Sequence, residues 1–157
     1  MALLQKQVPL LRLFSRVQKN VDQSAIIKSY LADLEYYRSL NDDYKVESIF
    51  FGGGTPSLIE PQYIAAIINQ ITSLWSCSDS LEISLEANPN TNHNNLFSDL
   101  KSAGINRLSL GVQALNDDDL KFLGRTHNLS EALSSIDLVL HNLNKLEPIS
   151  STLEKRR

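Results

Sequence analysis

The sequence predicts an α/β fold, read as a partial (β/α) barrel of about three βα units. Three observations predict it. Apolar residues alternate along the chain between helical spacing and short strand-like runs, giving one helix and then three strand-then-helix units. That order demands parallel strands joined by right-handed crossovers. Specific polar groups recur where strands end, the place where barrels gather their functional residues.

The elements follow in order. Residues 22–40 carry Ile26, Ile27, Tyr30, Leu31, Leu34 and Tyr37 in a helical stripe. Residues 45–51 read as a strand, with Val46, Ile49, Phe50 and Phe51 suited to burial on both faces. Pro61 fits the first turn of a helix that buries Ile64, Ile67, Ile68, Ile71, Leu74 and Trp75. Residues 81–87 form a second strand, closed by Asn88-Pro89-Asn90. Residues 96–103 form a short helix with Gly104 as its C-cap. Residues 105–110 form a third strand, followed by a turn at Gly111-Val112-Gln113. Helices over 117–122 and 130–143 complete the series, with Asn128 or Ser130 as the cap of the second.

Bulk properties narrow the function classes. The chain has 157 residues, enough for one domain with a sizeable core. Its 42% apolar and 21% charged content is that of a water-soluble globular protein. A net charge of −3 argues against general affinity for nucleic acid or anionic membrane, and no apolar run has the length of a membrane span. One cysteine, Cys77, allows no internal disulfide and suits a reducing compartment, with the cytoplasm expected. Its polar neighbours, Ser76, Ser78 and Asp79, predict a loop.

The chemistry lies in the strand ends. The run Gly52-Gly53-Gly54-Thr55-Pro56 removes three successive Cβ atoms, so the backbone can take positive φ and approach a ligand closely. It lacks the G-x-G-x-x-G spacing of a dinucleotide site and the Gly-Lys-Ser/Thr of a P-loop. Many strand-to-helix connections need glycine merely to turn, so the run alone decides nothing. The second strand ends in Leu85-Glu86-Ala87-Asn88-Pro89 and the third in Ser109-Leu110-Gly111-Val112-Gln113-Ala114-Leu115. Leu123-Gly124-Arg125-Thr126-His127 comes a little further on. Taken singly, Glu86 reads as a solvated carboxylate, Gln113 as a loop cap and Arg125 as a surface charge.

In succession these four motifs resemble the radical S-adenosylmethionine (SAM) proteins related to oxygen-independent coproporphyrinogen-III oxidase, in particular the haem-chaperone branch. The resemblance spans residues 46–143. It implies a barrel of the radical SAM type and a place in porphyrin or haem metabolism. It also implies a cofactor site in which Gly53, Gly54 and Thr55 meet the amino-acid end of SAM through backbone groups. Glu86 would accept from hydroxyl or ammonium donors, Gln113 would offer a carboxamide, and Arg125 a fixed cation near the carboxylate. His127, after a Gly-Arg-Thr turn, reads as structural rather than catalytic.

The sequence departs from that family at one decisive place. The family holds a 4Fe–4S cluster on three closely spaced cysteines ahead of the glycine turn, and here no cysteine precedes Cys77. No catalytic or metal-ligating residue is therefore assigned. Two readings of the N-terminus remain open. Lys6, Arg12, Arg16 and Lys19, with no acid before Asp22, have the composition of an organellar presequence. Alternatively, synonymous codons for residues 2–14, read in another frame, spell the cluster spacing C-x-x-x-C-x-x-C, and a similar shift fits residues 148–154. On that basis residues 1–21 form a non-homologous or frame-shifted segment, 22–143 the partial barrel and 144–157 an irregular frame-shifted tail. The expected partners are SAM, haem or porphyrin, and further copies of the chain through open sheet edges. The rivals to an inactive radical SAM remnant are a non-enzymatic SAM- or haem-binding module and a targeted accessory protein.

Overall fold

A computed structural model of the chain describes residues 21–40, 44–89, 95–143 and the backbone of 146–150. The readings of the N-terminus, of residues 1–20 and of residues 151–157 lie outside the described residues. Four parallel strands form one sheet in the order β1-β2-β3-β4: β1 Lys45–Phe51, β2 Ser76–Ala87, β3 Arg107–Gln113 and β4 Leu146–Ser150. Each strand therefore lies beside its predecessor. This is the winding of a barrel, whereas a doubly wound sheet reverses its order part-way. The helices are α1 Gln23–Leu40, α2 Pro61–Leu74, α3 Leu96–Ser102, α4 Asp117–Phe122 and α5 Leu129–Asn142.

Helices α1 and α2 run side by side in the same direction, clamped at both ends. At the first end the Gln23 carboxamide donates to the Leu58 carbonyl at 3.0 Å and accepts from the Glu60 N–H at 2.9 Å. At the other, Arg38 Nε donates to the Leu74 carbonyl at 2.7 Å. Asp22 caps α1 by accepting from the Ala25 N–H. Pro61 opens α2, where its missing N–H costs nothing. Asn128 closes a capping box with Glu131 at the start of α5, so that helix begins at Leu129 rather than Ser130.

The core joins Ile49 of β1, Ile64 and Ile68 of α2, Ile83 and Leu85 of β2, Leu100 of α3, Leu108 and Leu110 of β3, and Val139 of α5. Gly104 takes φ 109° after α3, and a Cβ there would meet Ile68 Cδ1 at 3.3 Å. Both the angle and the packing call for glycine.

Several expectations are corrected. Phe50 is 61% exposed while its neighbour Ile49 is buried, so β1 is covered at this level on one face and not on both. Cys77 lies inside β2, which starts at Ser76 and pairs Cys77 with Val46. The third strand begins at Arg107 and runs on through Gly111 and Val112, so the expected turn is delayed to its last residue, Gln113. Its late start has a cause in Asn106. That side chain accepts from the Ile83 N–H at 2.9 Å and donates to the Leu81 carbonyl at 2.8 Å, occupying the ladder position that another backbone pair would have taken. Leu146–Ser150 form a strand beside β3 in place of the expected irregular tail, so β3 is an inner strand.

Candidate functional site

The glycine turn is built by backbone angle. Gly53 and Gly54 take φ 85° and 70°, the left-handed region that costs an L-residue about 1–2 kcal/mol. A Cβ on Gly53 would meet nothing within 4 Å, so the turn borders open space and the angle alone demands glycine. Its N–H donates to Glu86 Oε2 at 3.0 Å. The register Phe51↔Leu85 places Glu86 level with the start of the turn, which is why a residue 33 positions away can hold it.

Thr55 is buried at the base of the turn, and Asn88 Nδ2 lies 3.5 Å from its Oγ1. Pro56–Leu58 then make a single 3₁₀ turn whose Ser57 is 4% exposed. Ser57 Oγ is buried without a hydrogen-bond partner among the described residues. An orphaned hydroxyl at the foot of a glycine turn is a donor and acceptor held ready. Sequence reasoning assigns Ser57 no role, and its position directly after Thr55-Pro56 is the signal that could single it out.

The third strand end joins this cluster through Gly111. A Cβ there would lie 3.2 Å from Asn88 Oδ1 and 3.5 Å from Gln113 Nε2, so two carboxamides converge over a residue that has no side chain to part them. Gln113 has φ 71°, the one non-glycine residue with positive φ among those described. The Ala114 N–H donates to the Val112 carbonyl at 2.9 Å, closing a γ-turn with Gln113 at its centre. Such an angle on glutamine costs about 1–3 kcal/mol, a strain typical of functional positions. The Asn88-Pro89 end of β2 is tied from behind, where the buried Ser135 hydroxyl of α5 donates to the Pro89 carbonyl at 2.7 Å. Ser135 sits on the same helical face as Ala132 and Val139, and in the sequence it is indistinguishable from an ordinary core position.

Arg125 and His127 belong to a neighbouring group after α4. Burial lowers the pKa of Arg125 from its ordinary value by desolvating the guanidinium. His127 is buried, and its Nε2 stands 3.1 Å from the Val112 carbonyl. A carbonyl only accepts, so Nε2 carries the hydrogen. Desolvation pulls the His127 pKa below 6.5. The Val112 hydrogen bond and Glu131 work against that shift, and Arg125 adds to it.

Of the residues singled out from the sequence, the structure thus brings Gly53, Gly54, Thr55 and Glu86 into one cluster, reaches Gln113 through Asn88 and Gly111, and sets Arg125 with His127. An open cavity of about 430 Å³ adjoins the turn on its other side, between α1, β1 and α2, lined by Ile27, Tyr30, Phe50, Gly53, Thr55 and Ile71 among others. Glu86, Gln113 and Arg125 do not line it.

The glycine turn suits an amino-acid zwitterion: it has open space before Gly53, an acidic acceptor in Glu86 and an orphaned hydroxyl in Ser57. A 4Fe–4S cluster finds no such fit. The chain's one thiol, Cys77, lies in the second position of β2, at the opposite end of the strand from Glu86. Among the described residues no group of three or more His, Cys, Asp or Glu could hold a metal ion, and no helix is long and apolar enough to cross a membrane.

Comparison with known proteins identifies the family of the chain. The radical SAM superfamily matches residues 22–147. The heme chaperone HemW of Haemophilus influenzae is 42% identical over 113 residues, which cover 72% of this chain and 30% of that protein. The mitochondrial radical S-adenosyl methionine domain-containing protein 1 of Bos taurus is 36% identical over 120 residues, or 76% of this chain and 27% of that protein. The chain therefore spans under a third of the length of these relatives. Among solved structures, the coproporphyrinogen III oxidase HemN from Escherichia coli, a radical SAM enzyme, superposes with a TM-score of 0.79 at 17% identity. That match covers 94% of this chain and 35% of HemN. By sequence match the chain belongs to the radical SAM superfamily.

Proposed function

We propose that the chain is the SAM-recognising portion of a haem-chaperone-like radical SAM protein and has no radical activity on its own. The observation that carries the proposal is the Gly53–Glu86 contact, which sets a left-handed glycine turn against a carboxylate at two adjacent strand ends. Gly53, Gly54 and Thr55 would receive the amino-acid end of SAM. Glu86 would receive its ammonium or ribose hydroxyls, Gln113 would contribute its carboxamide and Arg125 a positive field near the carboxylate. When bound in this superfamily, SAM supplies the precursor of a 5′-deoxyadenosyl radical once a cluster delivers an electron. One thiol cannot replace three cluster ligands, so that electron has no donor on this chain. By the haem-chaperone resemblance the work belongs to haem or porphyrin handling, and the single cysteine suits a reducing compartment such as the cytoplasm.

Titration with SAM, followed by amide chemical shifts, tests the assignment. Without a metal chelate, binding should be no tighter than about millimolar, close to −4 kcal/mol. The largest shifts should fall on Gly53, Gly54, Thr55 and the Gln113 side chain. Anaerobic reconstitution with iron and sulfide should leave no 4Fe–4S absorption, and 5′-deoxyadenosine should stay at background. Shifts confined to other residues, or SAM cleavage above background, would overturn the reading.

A further inference from the structure

The Val112 carbonyl accepts two hydrogen bonds. One comes from the Ala114 N–H at 2.9 Å, and it closes the γ-turn around Gln113. The other comes from His127 Nε2 at 3.1 Å, delivered from 15 residues further along the chain. A φ of 71° strains a glutamine and persists where the surroundings fix it, and the pairing of β3 with β4 skips a step at the same place, between Leu110 and Gln113. The backbone there is released from regular ladder geometry and must be fixed by something else. His127 is buried, and its ring is held on the one carbonyl whose orientation defines the γ-turn. The carboxamide so aimed lies beside Gly111 and Asn88, whose own amide reaches toward Thr55.

We propose that His127 is a positioning residue, holding the Val112 carbonyl so that Gln113 stays in its left-handed γ-turn and presents its carboxamide to the strand-end cluster. The clamp explains why a strained glutamine persists at the end of β3 without a glycine in its place. It also gives the histidine after the Gly124-Arg125 turn a task that neither burial nor loop closure requires. The consequence for ligand recognition rests on the reading of these strand ends as a SAM site; the clamp itself does not.

Nuclear magnetic resonance on the full chain separates the two. In the unaltered protein, long-range proton–nitrogen correlations should show the His127 ring protonated on Nε2. A ring protonated on Nδ1 alone would overturn the clamp without any variant being made. In His127→Ala, the backbone couplings of residue 113, which report the sign of φ, should move to values for negative φ, while the Gly53 and Glu86 amides stay in place. His127→Gln, which keeps a side-chain N–H donor, should restore them in part. Couplings that stay at positive φ in His127→Ala would overturn the proposal. SAM affinity should fall about fivefold in His127→Ala, the worth of roughly one hydrogen bond. Unchanged affinity alongside altered couplings would overturn the link to ligand binding. If the unaltered chain shows no SAM-dependent shifts at all, the SAM reading fails, and the tautomer and couplings still decide the clamp.

Discussion

The backbone N–H of Gly53 donates to a carboxylate oxygen of Glu86 at 3.0 Å, so the glycine turn is held by the end of the neighbouring strand. A carboxylate has two oxygens and about four acceptor positions, and this contact uses Oε2. Glu86 therefore fixes the turn and keeps further acceptor capacity beside it.

Replacing Glu86 tests how the turn is held. Glu86→Gln retains an acceptor for the Gly53 N–H, whereas Glu86→Ala does not. The alanine variant should lose about 1 kcal/mol in urea unfolding and the glutamine variant less than half of that. Equal losses would show that the carboxylate does not hold the turn.

At Gly53 the constraint is angular, since φ is 85° and a Cβ added there would have no neighbour within 4 Å. Asparagine tolerates the left-handed region and valine does not. Gly53→Asn should therefore cost clearly less than Gly53→Val, whose penalty should reach about 2 kcal/mol. The same midpoint for both in chemical unfolding would contradict the angular argument.

Ser57 makes the opposite prediction for stability and binding. Its hydroxyl is buried and unpaired among the described residues, so Ser57→Ala should leave stability unchanged or raise it by up to about 1 kcal/mol. If the hydroxyl meets the ligand, the same change should weaken SAM-dependent shifts at Gly54 and Thr55. A marked loss of stability would show that Ser57 Oγ has a protein partner after all.

His127 gives stability a pH dependence whose sign follows from burial. Its folded pKa lies below 6.5, so the unfolded chain takes up the proton first as pH falls. The contribution is complete above 6.5 and is lost as pH drops from there toward the lower folded value. Unfolding free energies measured between about pH 5 and 8 should therefore slope upward over the acidic part and level off, with a flatter slope in His127→Gln. An unchanged slope in that variant would assign the effect to other groups.

Much of the fold was legible from periodicity. The bounds of β1, the proline start of α2 and the glycine stop after α3 all rest on local rules that tertiary packing leaves intact. The errors came where a distant residue replaces backbone pairing. Asn106 delays β3 by standing in the ladder, and β2 starts early because Ser76 and Cys77 find partners in Lys45 and Val46 of β1. Phe50 read as buried because a strand covered on one face and one covered on both carry the same apolar letters. The strand-end cluster was legible in Gly53, Gly54, Thr55 and Glu86, and a turn was expected over Gly111-Val112-Gln113, whereas Ser57, Ser135 and the tight γ form of the turn at Gln113 were not. Their meaning depends on burial and on contacts between residues far apart in sequence.

The carboxamide of Asn106 imitates a peptide group, receiving from one residue of β2 and giving to another as a neighbouring main chain would. A rung made this way depends on the identity of one side chain. Backbone rungs survive almost every substitution, but this one disappears with a single altered side chain. Even aspartate, equal in size, would turn an acceptor toward the Leu81 carbonyl in place of a donor. The seam between β2 and β3, which brings Glu86 and Gln113 to the same rim, is thereby open to adjustment by mutation at its distal end, far from the residues it aligns.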